Sequence, residues 1–184
     1  MTEQETHNVV DQENYSFVIP LEPQSAERPR SSFKTKTVTS SRKYADWRRK
    51  FDAWFEVFLE TTNYDLVRYM LGHNKTVRTV SGNPRDENGK LRGSLQPTFN
   101  GYKMTVYFFS ERPTNVKASD RPWNVSTPDV DNLFKAVSDG IFGHRVMYDA
   151  GLNDSFVVHQ EVAKLYAKDG EEPHIYVEFE RIGG

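Results

Sequence analysis

Residues 128–135 form the most informative stretch of the chain and read Pro128-Asp129-Val130-Asp131-Asn132-Leu133-Phe134-Lys135. Two carboxylates stand one residue apart where an amphipathic run begins, and an amine follows one helical turn after the second carboxylate. A further acid, Asp154, opens the apolar, strand-like run Phe156-Val157-Val158. Carboxylate oxygens suit Mg²⁺, and a nearby ammonium can stabilise charge that develops on a phosphoryl group. The pattern is typical of a divalent-metal site for phosphodiester cleavage.

The same residues also allow a purely structural interpretation. An Asp before a helix is usually an N-cap, and acids in the first turn interact favourably with the helix dipole. Asp131 and Lys135 are four residues apart and can form a surface ion pair. Spacing alone favours this interpretation, and the wider sequence strengthens the case for a metal site.

Four segments of the chain resemble one protein family. The run Asp129 to Gly140 matches the pattern D-x-D-N-hydrophobic-x-K-A-x-x-D-hydrophobic, and Asn153 to Val158 resembles a D-D-x-Q-V-V step. Upstream, Phe17 to Pro23 and the loop Arg28-Pro29-Arg30 resemble an opening strand and an Arg-Pro-Arg loop. Together these segments resemble the RusA family of Holliday-junction resolvases, metal-dependent endodeoxyribonucleases common in phages and prophages. The resemblance covers about residues 15–181.

The resemblance implies a catalytic set of three acids and one amine, which are Asp129, Asp131, Asp154 and Lys135. The three acids would hold Mg²⁺, for which Mn²⁺ would substitute, and no small-molecule cofactor is expected. Asn132 and Asp139 form a second tier. Asp139 lies one turn beyond Lys135 and is interpreted as an ion-pair partner that orients the amine.

Three departures from the family pattern concern the third acid. Asn153 replaces the first Asp of the Asp-Asp pair, and Phe156 replaces the Gln. The segment from Gly143 to Leu152 is several residues longer than the family pattern, and Asp149 inside it competes with Asp154 for the third role. The register of the valines after Phe156 favours Asp154.

Charge is distributed unevenly along the chain. The formal net charge is −2, but residues 1–14 contain four acids and no Lys or Arg, whereas residues 21–51 contain nine basic and three acidic residues. A basic stretch can neutralise DNA phosphates without reading sequence, although a solvated helix face and charged loop would look the same. The residues predicted to contact phosphates are Arg28, Arg30, Lys34, Arg42 and Lys43.

Composition is consistent with one soluble enzyme domain of 184 residues. The chain has no cysteine, so it has neither disulfides nor thiolate metal ligands. The five histidines are scattered without the close spacing of a zinc site. No apolar run is long enough to cross a bilayer and no signal-peptide core is visible, so we expect a cytoplasmic protein in a bacterial host or a phage-infected cell.

The periodicity predicts an α+β fold, a small mixed or antiparallel sheet packed with two main helices. Residues 1–14 are predicted to be a disordered acidic arm and residues 15–184 the RusA-like domain. The predicted strands are 15–21, 102–109, 156–166 and 174–181, and the predicted helices are about 41–60, 64–71 and 130–142. Residues 22–40 and 111–128 are predicted to be loops, with a turn at Asp86 to Gly89.

The resemblance also implies a homodimer and a branched DNA partner, the four-way junction. Two active sites would then face the two symmetric strands of the junction. Two alternatives stay open, a non-catalytic protein that binds junctions or other branched DNA, and a nuclease for flaps or other branched DNA.

Overall fold

The computed structural model of the protein describes residues 9–26, 30–32, 37–39, 42–72, 101–116 and 122–183, and it gives the backbone alone for residues 30–32 and 37–39. Within these ranges the strands are β1 (Asn14–Ile19), β2 (Arg30–Ser32), β3 (Thr37–Thr39), β4 (Gly101–Ser110), β5 (Val157–Tyr166) and β6 (His174–Ile182). The helices are α1 (Arg42–Thr61), α2 (Asp65–Leu71), α3 (Val130–Phe142) and α4 (Arg145–Asp149), and 3-10 turns lie at Val9–Asp11 and Asp154–Phe156.

The main sheet has four strands in the order β1-β6-β4-β5. The β1–β6 and β6–β4 pairs are antiparallel, and the β4–β5 pair is parallel. The predicted α+β fold with a small mixed sheet and two main helices is therefore confirmed. The aromatic run of β4 occupies a central strand, as its composition predicts.

The core lies between one face of this sheet and helices α1 and α3. Ile175, Val177 and Phe179 of β6 are fully buried, which confirms the alternation seen in the sequence. Helix α1 packs over β1, where the Phe58 and Phe17 rings are 4.9 Å apart. Helix α3 packs over β6, and the four side chains that anchor it are Leu133, Ala136, Val137 and Ile141.

The two main helices approach each other closely at Gly140. A Cβ atom added there would lie 2.9 Å from Cε1 of Phe51, so only glycine fits this crossing without movement. Next to it, the Arg48 guanidinium donates to the carbonyl oxygen of Asp139 at 2.7 Å. A cation at the last turn of a helix satisfies carbonyls that have no partner within the helix. Arg48 therefore fixes the carboxyl end of α3 against α1.

Several predictions of secondary structure need correction. The disordered arm is wrong for residues 9–14, because Val9 is buried in a 3-10 turn and Asn14 already belongs to β1. Residues 22–40 are not entirely loop, since β2 and β3 pair as short antiparallel strands. Helix α4 lies inside the segment 143–152, where no helix was predicted. Residues 1–8 and the turn at Asp86 to Gly89 lie outside the described residues.

Among the helices of the described residues, none combines the length and the apolar composition that crossing a lipid bilayer requires.

Candidate active site

The amino end of α3 presents two carboxylates to solvent. Asp129 stands at the N-cap position in an extended conformation, but its side chain makes no capping hydrogen bond to the helix. Asp131 lies in the first turn and is also exposed. An Asp that acts only as a cap accepts a hydrogen bond from the second or third N–H of its helix. The Asp129 carboxylate does not fill this role, which weakens the purely structural interpretation.

Lys135 lies one turn further on and pairs with Asp139 rather than with Asp131. Its Nζ donates to the two carboxylate oxygens of Asp139 at 2.9 and 2.7 Å, so the two residues form the expected ion pair, and the role of Asp139 in orienting the amine stays a prediction. These hydrogen bonds are the main cause that raises the pKa of Lys135 above its ordinary 10.5, and the nearby charge of Asp154 adds to the effect. Lys135 is therefore a fully charged ammonium at neutral pH, with 63 % of its side chain exposed.

Asp154 lies in the 3-10 turn that precedes β5. The side-chain oxygen of Asn153 accepts a hydrogen bond from the backbone N–H of Ser155 at 3.0 Å and so caps this turn. The departure from the family's Asp-Asp pair therefore leaves a residue that still organises the turn. Asp154 is exposed and close enough to raise the pKa of Lys135, after the larger effect of Asp139.

Asp149, the competing third acid, belongs to α4 instead. Its carboxylate accepts a hydrogen bond from Nε of Arg145, four residues earlier, at 3.4 Å. An exposed pair of this kind contributes little to stability, but it gives Asp149 a partner on its own helix. Asp154, in contrast, is among the groups that raise the pKa of Lys135, after the larger effect of Asp139, and it stays the predicted third acid.

The segment that leads into Asp129 is fastened to the outer edge of β5. Trp123 forms a bridge with Leu165, the N–H of Asn124 donates to the Lys164 carbonyl at 3.0 Å, and the N–H of Tyr166 donates to the Pro122 carbonyl at 2.9 Å. The predicted loop at 111–128 is thus an ordered part of the site over residues 122–128.

Lys164 is a residue that the sequence analysis missed. Its Nζ donates to the carbonyl oxygen of Pro128, the residue directly before Asp129, at 2.7 Å. It also donates to the carbonyl oxygen of Ser126. Alternate residues of a strand point to the same face, so Lys164 shares a face with Val162 and Tyr166. A lysine between an apolar and an aromatic residue on one face is the sequence signal that could have revealed it.

The described residues do not close into a finished metal cluster. Within residues 9–26, 42–72, 101–116 and 122–183, no three carboxylate or imidazole side chains converge closely enough to hold an ion. The metal set of Asp129, Asp131 and Asp154 therefore stays a prediction. Three anionic groups repel one another unless a cation lies between them. The donors themselves fit Mg²⁺ or Mn²⁺, since they are exposed carboxylate oxygens on neighbouring elements.

The predicted DNA contacts lie partly beyond the described residues. Arg28 and Lys34 are outside them, and only the backbone of Arg30 is given. Arg42 and Lys43 are exposed in the first turn of α1. This end of α1 lies near the site, because Tyr44 is among the groups that raise the pKa of Lys135, after the larger effect of Asp139.

Two other side chains, His144 and Trp123, lie close in sequence to the predicted site residues. His144 does not approach the carboxylates of the candidate site. It is buried, and its Nε2 lies 3.0 Å from a carboxylate oxygen of Glu56 on α1. Trp123 is 56 % exposed, so its ring does not serve mainly to pack the loop. Its position six residues before Asp129 leaves an aromatic surface beside the site.

A comparison with known families found a match to a family model. The family model described as "Endodeoxyribonuclease RusA" matches residues 89–180, which is half of the chain. A search of curated proteins found no significant match. The matched range includes the catalytic set and Lys164 but not the Arg28 to Arg30 loop or α1.

The matched family defines the class of protein as an endodeoxyribonuclease, an enzyme that cleaves phosphodiester bonds within DNA strands. The chain belongs to the RusA family of these enzymes.

Proposed function

We propose that this endodeoxyribonuclease resolves four-way DNA junctions in the cytoplasm by Mg²⁺-dependent cleavage of two opposed strands. The observation that carries the proposal is the exposed amino end of α3. There the Asp129 carboxylate makes no capping hydrogen bond to the helix, and the acid of the neighbouring turn, Asp154, adds to the raised pKa of Lys135 after the larger effect of Asp139. The family of the chain supplies the reaction class.

The carboxylates of Asp129, Asp131 and Asp154 are the residues that would hold the ion. Bound there, a divalent ion polarises a phosphoryl oxygen and lowers the pKa of an attacking water. The exposure of all three side chains leaves room for a phosphate to approach. Because the donors are oxygen atoms only, the site favours Mg²⁺ or Mn²⁺ over zinc.

Lys135 acts as an electrostatic stabiliser. Asp139 holds the amine, and the raised pKa keeps it charged. A fixed ammonium beside the scissile phosphate would stabilise the negative charge that develops on the phosphoryl oxygens in the transition state. Asp139 is a positioning residue in this scheme, because it acts through Lys135.

The first turn of α1 and the exposed indole of Trp123 provide DNA contacts around the carboxylates. Arg42 and Lys43 would bind backbone phosphates, and Trp123 would stack on a base that the junction leaves unpaired. Changing Arg42 and Lys43 to Ala should lower the slope of log affinity against log salt concentration by about one per lost contact. Lys168→Ala, at the end of β5 away from Asp154, is the matched control.

The substrate also requires two active sites. A four-way junction is two-fold symmetric, so a two-fold symmetric homodimer places one site on each opposed strand. Mixing wild-type protein with an Asp131→Asn variant tests this on a supercoiled cruciform. Heterodimers should nick one strand and accumulate open circles. Paired cleavage that falls in simple proportion to wild-type content, without nicked product, would contradict the dimer.

One assay tests the function as a whole. A four-way junction, a flap and a plain duplex of equal length are incubated with the protein, with and without Mg²⁺. We expect paired cleavage of the junction alone, and only with Mg²⁺. Equal cleavage of flap and junction would assign the enzyme to branched DNA generally. Tight junction binding without cleavage in Mg²⁺ or Mn²⁺ would show a non-catalytic junction-binding protein.

A further inference from the structure

Lys164 occupies an unusual place for a lysine. It pairs in register with Phe108 of β4, and residues opposite each other in a sheet share a face. Phe108 is fully buried in the core. The Lys164 side chain therefore starts on the helix-covered face of the sheet, where charged groups are rare unless they have partners.

The partners of Lys164 are backbone carbonyls of the segment before α3. Its Nζ donates to the carbonyl oxygens of Ser126 and of Pro128, the residue directly before Asp129. An ammonium has three N–H donors, so one side chain can bind two carbonyls. Hydrogen bonds from a charged donor are stronger than neutral ones. The contact fixes the last residue before Asp129 to β5.

Strand β5 thereby organises both sides of the candidate metal site. At its amino end, the turn Asp154–Phe156 leads directly into Val157. Further along the same strand, Lys164 holds the segment that ends at Asp129. The separation between the Asp129 and Asp154 carboxylates therefore depends on β5 and on the Lys164 side chain, together with the backbone contacts of residues 122–124 with the same strand.

We infer that Lys164 is a positioning residue that sets Asp129 relative to Asp154 through its hydrogen bonds to the Ser126 and Pro128 carbonyls, and so determines the affinity for the divalent ion. This inference rests on the proposed function. Without the ammonium, two carbonyls lose their donor and the segment before Asp129 is held only by the backbone contacts at residues 122–124.

Mn²⁺ binding, measured by electron paramagnetic resonance without DNA, tests the inference independently of cleavage. Lys164→Met keeps the aliphatic stem and removes the donors, Lys164→Arg keeps a cation with several donors, and Lys103→Met is the matched control. Lys103 lies on the opposite face of the sheet, where it pairs with Glu161 at 2.8 Å.

We expect Lys164→Met to weaken Mn²⁺ binding by about 10- to 100-fold, the usual cost of losing a group that orients a metal ligand. Lys164→Arg should recover most of this loss, and Lys103→Met should bind as wild type does. The cleavage defect of Lys164→Met should shrink as Mg²⁺ is raised. If the Met variant does not fold, Lys164→Gln replaces it in the experiment. Because its shorter side chain still carries an amide donor, Lys164→Gln should lose less Mn²⁺ affinity than is expected for Lys164→Met.

The two possible failures are distinguishable. If wild-type protein binds no Mn²⁺ and cleaves without added metal, the proposed function is wrong. If wild type binds Mn²⁺ and Lys164→Met or Lys164→Gln binds it equally well, the function stands and Lys164 has no positioning role. A defect that does not shrink with Mg²⁺, or that Lys164→Arg fails to recover, would also overturn the inference.

Discussion

The two ends of helix α3 differ sharply in how their polar groups are satisfied. At the carboxyl end, Asp139 binds Lys135, and the Arg48 guanidinium binds the Asp139 carbonyl. At the amino end, Asp129 makes no capping bond, and Asp131 makes no hydrogen bond or ion pair with the described part of the chain. One end is built to hold the helix in place, and the other leaves its carboxylates available to a ligand.

This difference separates stability from chemistry along a single helix. Changes at Asp129 and Asp131 should affect cleavage and leave folding nearly unchanged. Changes at Gly140 and Arg48, which hold the carboxyl end against α1, should do the reverse. The expected effects below run from the largest to the smallest.

The largest effect is expected for Asp131→Asn. The change keeps side-chain size and removes one anionic ligand, so cleavage should fall by more than the roughly 10²- to 10³-fold that loss of one electrostatic stabiliser costs. Junction binding should persist or tighten, because repulsion of phosphate decreases. Single-turnover kinetics measure the cleavage rate, and a thermal melt of the same sample checks that folding is unchanged. A variant that cuts at the wild-type rate in Mg²⁺ would remove Asp131 from the site.

Lys135→Ala should lower the cleavage rate by about 10²-fold and change metal affinity far less. The raised pKa of Lys135 implies that its protonated form persists beyond pH 10.5 and is lost only as pH rises through that raised value. The pH–rate profile of wild type should therefore contain no step from Lys135 in the neutral range. Loss of metal binding with normal turnover at saturating metal would contradict this role.

Gly140→Ala should destabilise the fold while the folded fraction remains active. Overpacking against Phe51 costs about 1–3 kcal/mol, which exceeds the roughly 1 kcal/mol that alanine gains over glycine in a helix. Urea unfolding gives the change in the free energy of unfolding. Adding Phe51→Leu makes room for the methyl group, so the two changes together should be less harmful than their sum. Strict additivity would mean that the close approach does not exist.

The smallest effect is expected for Arg48→Met, about 1 kcal/mol of stability, because a partly exposed charged hydrogen bond is lost. Arg49→Met is the matched control, since Arg49 is the next residue of α1 and pairs with Asp46 on the surface. The control should stay within about 0.5 kcal/mol of wild type. Equal losses in the two variants would show that Arg48 does not hold the end of α3.

Much of the fold was predictable because local patterns and tertiary packing agree. The stripe of Trp47, Phe51 and Phe55 predicts α1, and all three are buried. The alternation in β6 predicts which of its faces is inside. Helix α4 was missed because a helix of five residues is too short to show a recognisable helical period in the sequence.

The candidate site was predictable only in part. The pairing of Lys135 with Asp139 follows from helical spacing and was found in the sequence. The contact of Lys164 with the Pro128 carbonyl joins residues 36 positions apart. The contact of Arg48 with the Asp139 carbonyl joins residues 91 positions apart. In both contacts the acceptor is a backbone carbonyl oxygen, which every residue has. No pattern of side chains in the sequence therefore predicts them.

The central claim is that the amino end of α3 holds a divalent ion and the carboxyl end does not. The most direct test is Mn²⁺ binding to wild type, Asp131→Asn and Asp139→Asn, each of which removes one carboxylate from the same helix. We predict that binding is lost in Asp131→Asn and retained in Asp139→Asn. Equal binding in the two variants, or loss in Asp139→Asn alone, would contradict the claim.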